Sequence, residues 1–212
     1  MRRLVENCKA CRGFAQHLAL PKPKHNPPTG SETTLFVSRS ISEIEDRITG
    51  PAIDLACGYG RNALFLANLG LSVYCLDIDA ACLSAITRLD PERGSLHPLR
   101  VNLHGSEWQL PLSEFGIAIC VHYFDSSLIE RVTRLLRPGG FLLIETVGNH
   151  GRNYLELPES GLIRSQMESN YSMISYHERP AGPAGLNRVT VKVLAEKNDC
   201  ILTDALFKSR KP

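Results

Sequence analysis

The chain has 212 residues, 43% of them hydrophobic and 22% charged, which suits one domain of ordinary globular composition with room for an extension. Those proportions exclude a collagen-like chain, a coiled coil and a wholly disordered one. The net charge of +2 hides a split: residues 1–39 hold seven Lys/Arg against two acids, and the rest holds seventeen against twenty. The body, at −3, is therefore no nucleic-acid-binding surface by charge.

The N-terminus starts Met1-Arg2-Arg3, but Asn7, Lys9, Arg12, Gln16 and His17 break any apolar signal core. No run approaches the ~18 apolar residues of a membrane span; the stretch from Phe115 to Phe124 is about half that. A cytoplasmic, soluble protein, monomer or homodimer, is expected, with no membrane partner. Cys8 and Cys11 form a C-x-x-C with His17 and His25 downstream, half of a zinc site that no second half completes, so no metal is expected. Cys57, Cys75, Cys82 and Cys120 lie in apolar runs and read as buried small hydrophobes in a reducing compartment.

Residues 1–37 read as a basic, Pro-rich extension, with an extended linker over 21–30, and 38–212 as the folded domain. A helix is predicted over Ser38–Ile48, then strand Ala52–Ala56, helix Arg61–Leu69, strand Ser72–Leu76, helix Ala80–Leu89 and strand Leu96–Leu103. Strand Ile117–His122 follows, then a helix with one apolar face made by Leu128, Ile129, Val132, Leu135 and Leu136. Arg137-Pro138-Gly139-Gly140 stops it before strand Phe141–Glu145. After a helix over Ser160–Ser169, strands Tyr171–Tyr176 and Arg188–Leu194 are joined by a loop from Pro180 to Gly185. Seven strands in this order make an α/β, doubly wound, mostly parallel sheet with a C-terminal antiparallel hairpin.

The informative stretch runs from Ile53 to Ala63, a strand entering a glycine-rich turn and a helix. Gly58 and Gly60 permit positive φ and close approach of a ligand, and Asp77, closing the next strand, is placed to accept both hydroxyls of a ribose. Gly58-x-Gly60-x-x-Ala63 with Asp77 also satisfies a dinucleotide fingerprint. Charge opposes that reading, because Asp54 would face the anionic pyrophosphate; it suits the ammonium of an amino-acid-bearing cofactor instead. S-adenosylmethionine (SAM) meets that description.

The run Asp54-Leu55-Ala56-Cys57-Gly58-Tyr59-Gly60-Arg61, Asp77 in its strand, and Arg137-Pro138-Gly139-Gly140 before a strand resemble class I SAM-dependent methyltransferases, whose sheet is Rossmann-like. Gly60-Arg61-Asn62-Ala63, Glu145-Thr146, the run from Leu157 to Leu162 and the closing run from Val193 to Lys197 are similar to tellurite-resistance-like small-molecule methyltransferases. The resemblance implies that Asp54 and the backbone of Ala56, Cys57, Gly58, Tyr59 and Gly60 hold the methionine part. It further implies Asp77 on the ribose, Ile78 on one adenine face, and Asn102 and Leu103 at the adenine edge, with S-adenosylhomocysteine (SAH) as product. Ala56 stands where the class often has Gly, which requires a negative φ there, and Asn102 stands where Asp is common.

Arg61 either reaches the cofactor carboxylate or is solvated, Asp79 reads as the N-cap of the next helix, and Glu145 is either a structural carboxylate or a substrate contact. Strand ends place His122, Tyr123 and Asp125 at the rim; His122 and Tyr123 are the candidate catalytic groups, His122 as base or as packing on the cofactor edge. Leu35 and Phe36, just upstream, are apolar enough to fold over a shared pocket. The expected function is methyl transfer from SAM to a small acceptor such as a thiol or a metalloid oxyanion. An RNA methyltransferase using the basic head and a non-catalytic SAM-binding module are the alternatives.

Overall fold

The computed structural model describes residues 32–89, 94–105, 108–146 and 156–199. Cys8, Cys11, the linker over 21–30 and the basic residues up to Lys24 lie outside them. The elements are α1 (Leu35–Ile44) with a 3-10 turn (Glu45–Arg47), β1 (Ala52–Leu55), α2 (Arg61–Asn68), β2 (Val73–Asp77), α3 (Ala80–Ile86) and β3 (Leu96–Arg100). Then come β4 (Phe115–Val121), α4 (Leu128–Leu135), β5 (Leu136–Glu145), α5 (Leu162–Met167), β6 (Tyr171–Ala181) and β7 (Arg188–Lys197).

They build one seven-stranded sheet in the order β3-β2-β1-β4-β5-β7-β6. The first five strands are parallel, and β7 inserts antiparallel between β5 and β6. This is the expected mixed, doubly wound α/β fold. All four residues of β1 and all seven of β4 are buried, as befits central strands covered on both faces. Alternation then divides the core. Ala52, Cys75, Ile117, Ile119, Phe141, Leu143 and Leu194 pack under α1, α2 and α3. Ile53, Leu55, Ala118, Cys120, Leu142, Ile144, Val191 and Val193 pack under α4 and α5. Cys57, Cys75, Cys82 and Cys120 are free and buried, as expected.

Several boundaries differ from the sequence reading. Helix α1 begins at Leu35 rather than Ser38, because the Thr34 side chain caps it by accepting from the Val37 N–H at 3.2 Å. Strand β3 ends at Arg100, which leaves Asn102 and Leu103 in the following turn. The register jumps from Phe115↔Leu136 to Ile117↔Phe141, so Arg137–Gly140 bulges out of the ladder instead of preceding it. Strand β6 runs through Pro180 to Ala181; it is an edge strand, where a residue without an N–H is tolerated.

Candidate active site

The parallel strands end together at one edge of the sheet, and the loop after β1 lies there. Asp54 is buried in the middle of the sheet, between Cys75 of β2 and Ile119 of β4. By strand parity it shares the α1–α2 face with Ala52. The Ala63 backbone donates to its carboxylate, yet Oδ2 has no hydrogen-bond partner. Burial pushes the carboxyl up to about 8, Asp77 pushes the same way, and Arg61 pulls back. A buried acceptor with no partner among the described residues, at the head of a glycine loop, would be satisfied by a cationic donor.

The loop itself is held from β2. Asp77 Oδ2 accepts from the Gly58 N–H at 2.8 Å and Oδ1 from the Asp79 N–H at 2.9 Å. The Cys57 N–H goes to the Leu76 carbonyl and the Gly60 N–H to the Cys57 carbonyl, both at 3.0 Å. A side chain at Gly58 would meet nothing within 4 Å, so the space above this loop is open, and φ there is +53°. Gly60 is different: a Cβ there would stand 2.7 Å from Ile86 Cγ1, so the residue is needed where the loop crosses α3.

Ala56 corrects an expectation. Its φ is +54°, not negative. The chain has to leave the sheet at the end of β1 while the Cys57 N–H stays bonded to β2, and the left-handed region is the way out. That conformation costs an L-residue about 1–2 kcal/mol, sustained by the buried strand behind it. Asp79 caps α3 by accepting from the Ala81 N–H at 2.8 Å, as read from the sequence.

The other expected cofactor residues are spread along the same edge. Ile78, next to Asp77, is 57% exposed, a large apolar side chain left in the open beside the loop. Tyr59 and Arg61 are partly exposed. The Val101 N–H bonds the Asp77 carbonyl at 2.9 Å, which brings the turn after β3 alongside Asp77. In that turn Asn102 is exposed and its Oδ1 accepts from the His104 N–H at 3.1 Å. The Leu103 side chain is turned into the core, and its carbonyl accepts from Arg131 at 2.8 Å.

His122 follows β4, exposed and at φ +67°, with its N–H donated to the Glu145 carbonyl at 2.7 Å. Backbone strain of this kind at a strand end is a mark of functional sites. Tyr123 comes next along the rim. Its ring packs against the α4 side of the core, its hydroxyl is buried without a partner, and burial with nearby Asp125 pushes the phenol up to about 12. A phenol so placed stays protonated near neutral pH. Ser127 donates its N–H at 2.9 Å and its hydroxyl to Asp125, and His104 Nδ1 lies at 3.1 Å. Burial pushes the Asp125 carboxyl up, but these contacts more than offset it and hold the group below the usual range.

Opposite the loop stands a second polar cluster. Glu145, the buried last residue of β5, takes Lys192 Nζ at 2.7 Å and the Thr34 hydroxyl at 2.5 Å. The Thr33 hydroxyl donates to Asn62 Oδ1 at 2.5 Å, on the first turn of α2. Phe36 packs partly buried against the core with Lys192 Nζ 5.3 Å from its ring centre, whereas Leu35 is 63% exposed. Lys192 and Asn62 were not singled out from the sequence as site residues. Their signal is a polar residue on an otherwise apolar face: Asn62 four before Leu66, and Lys192 two before Leu194.

Residues 52–140 match a family model described as a methyltransferase domain. No curated protein matches the chain. Among solved structures, the chain is similar to an S-adenosylmethionine dependent methyltransferase from Mesorhizobium loti (18% identity, TM-score 0.59, 79% of this chain and 100% of that one). It is also similar to TehB from Haemophilus influenzae (14%, TM-score 0.59, 76% and 62%). A third is the glycopeptide N-methyltransferase MtfA complexed with sinefungin (15%, TM-score 0.57, 89% and 97%). At such identities the likeness is one of fold. No helix among the described residues is long and apolar enough to cross a membrane.

Proposed function

We infer that this chain, whose residues 52–140 match a methyltransferase-domain model and whose sheet has the order β3-β2-β1-β4-β5-β7-β6, is a class I SAM-dependent methyltransferase that moves the methyl group of SAM to a small-molecule acceptor. The observation that carries the reading is Asp54 Oδ2, buried and unpartnered beneath the glycine loop. An ammonium there would complete its bonding and let the carboxylate ionise; a pyrophosphate would be repelled. The Gly58 N–H, moreover, is already given to Asp77 and is not free for a phosphate oxygen.

SAM supplies a sulfonium methyl that is already activated, so the protein's work is to bind and align. Asp54 and the loop from Ala56 to Gly60 would hold the methionine part, with Arg61 toward its carboxylate. Asp77 would hold the ribose: a carboxylate has about four acceptor sites, and two are taken by Gly58 and Asp79. Ile78 would lie on the adenine and Asn102 at its edge. His122 would face the acceptor and take a proton where the acceptor has one to lose; a thiolate or an oxyanion needs no base. Holding donor and acceptor in line supplies several kcal/mol by proximity.

A small acceptor is supported by the segment from Thr33 to Phe36, which is tied to α2 through Asn62 and to the end of β5 through Glu145. The net charge of −3 after residue 39 supports it too. The test is SAH release by the full chain and by chains lacking residues 1–24 or 1–37, with thiols, metalloid oxyanions and total RNA offered as acceptors. Turnover of a small acceptor that survives the shorter deletion and falls with the longer is the expected result. Salt-sensitive RNA methylation lost with the shorter deletion would overturn it, as would SAM binding without turnover of any acceptor.

A further inference from the structure

Helix α1 docks through Val37, Ile41 and Ile44. Yet its N-terminal end also makes two polar ties to elements far away in the chain. The Thr33 hydroxyl donates to Asn62, 29 residues on, and the Thr34 hydroxyl to Glu145, 111 residues on. Asn62 sits just after the cofactor loop, on the helix that follows β1, and Glu145 ends β5. In the sheet β4 lies between β5 and β1, the strand that leads through the loop into α2, so the two anchors belong to elements on either side of β4. Two adjoining threonines reaching in opposite directions therefore lie across the end of β4, where His122 is. Glu145 holds that point from both sides: its carbonyl takes the His122 N–H, and its carboxylate takes Thr34. A buried carboxylate is costly without a counter-charge; Lys192, its cross-strand partner with a side chain 45% exposed, supplies one.

We propose that Glu145 is a positioning residue for methyl transfer, holding the Thr33–Phe36 strap through Thr34 and the His122 turn through its carbonyl, so that strap and cofactor helix close together on bound cofactor. The proposal rests on the reading that SAM occupies the loop from Ala56 to Gly60. Asn62 is the link through which occupancy of that loop reaches the strap.

Thr34 allows the strap to be separated from mere helix stability. Its hydroxyl accepts from the Val37 N–H as the α1 cap while donating to Glu145. Thr34→Asp keeps a capping acceptor but cannot donate to Glu145 and repels it, and Thr34→Ser keeps both roles. Hydrogen exchange on the full-length chain, with and without SAH, reads the strap directly, and stopped-flow reads SAH release. In the native chain and in Thr34→Ser, SAH should slow exchange over residues 33–38. In Thr34→Asp that protection should vanish and SAH should leave about tenfold faster, the loss expected for one hydrogen bond to a charged group. Thr33→Val, which touches neither the cap nor Glu145, should act in the same direction and serves if Thr34→Asp does not fold. Equal protection and equal release in these variants and the native chain would overturn the proposal alone. Failure of the native chain to bind SAH would overturn the cofactor reading and the proposal with it.

Discussion

Around the loop after β1, the bonds among the described residues come from residues 54–79: Gly58 and Asp79 onto Asp77, Ala63 onto Asp54, Cys57 onto Leu76. The cluster around Glu145 is put together from four separate stretches, Thr33–Thr34, His122, Glu145 and Lys192, which satisfy one another across the sheet. The two regions also differ in what they leave open. Asp54 keeps a buried carboxyl oxygen without a partner among the described residues, whereas Glu145, equally buried, is paired twice. The first is a shape fixed locally with one polar atom unanswered. The second is a cluster closed on itself that holds elements in place.

Asp54 gives the largest way to break this comparison. Asp54→Asn should weaken SAH at least a hundredfold, since losing one partner of a buried ion pair costs about 3–5 kcal/mol, and calorimetry would read it. The same change should alter stability in the opposite sense. The Asp54 carboxyl stands at about 8 in the folded chain and 3.8 as its ordinary value. The folded chain thus keeps a proton that the unfolded chain gives up, and the contribution of Asp54 to stability falls as pH rises from about 4 to about 8. Thermal unfolding should show Asp54→Asn matching the native chain near pH 4 and exceeding it at pH 8. SAH binding to the native chain at pH 7 should also release a proton, visible as a heat that depends on the buffer. A variant that melts lower than the native chain at pH 8 would mean that Asp54 is structural.

Asp77 comes next. Asp77→Ala removes two prospective charge-assisted bonds to the ribose, each worth roughly 1.5–3 kcal/mol, and also frees the Gly58 and Asp79 N–H groups. SAH affinity should fall at least tenfold, with faster exchange at Gly58 even without ligand. Unchanged affinity would move the ribose site elsewhere. The smallest expected effect is at Ala56. Ala56→Gly relieves about 1–2 kcal/mol of left-handed strain but adds about 0.5–1 kcal/mol of chain entropy. The melting midpoint should therefore rise by no more than about 6 °C. A fall larger than that would show that the Ala56 methyl is packed rather than strained.

The same division explains what could be read without coordinates. The order of strands and helices, Asp54, the two glycines and Asp77 were legible because local sequence carries them: apolar runs, a glycine turn and a carboxylate at a strand end. The left-handed Ala56 was not, because its φ is imposed by the bond between Cys57 and β2. The early start of α1 turned on Thr34 acting as cap and as donor to a residue 111 positions away. Strand β3 was read three residues too long, so the turn that carries Asn102 and Leu103, with the Leu103 side chain in the core, was not legible. The rim position of His122 and Tyr123 was legible from the strand end, but the left-handed turn at His122 and the packing of Tyr123 against the core were not. Glu145 was visible as a carboxylate closing a strand, while its role depended on Lys192, which only the antiparallel insertion of β7 brings alongside.

The central claim is that the loop after β1 takes an amino-acid-bearing nucleoside and not a dinucleotide. Titration calorimetry of the full-length chain with SAM, SAH, NAD and NADP tests it most directly. Saturable heats for SAM and SAH, with NAD and NADP silent, are predicted; saturable NAD binding with no heat from SAM would contradict it.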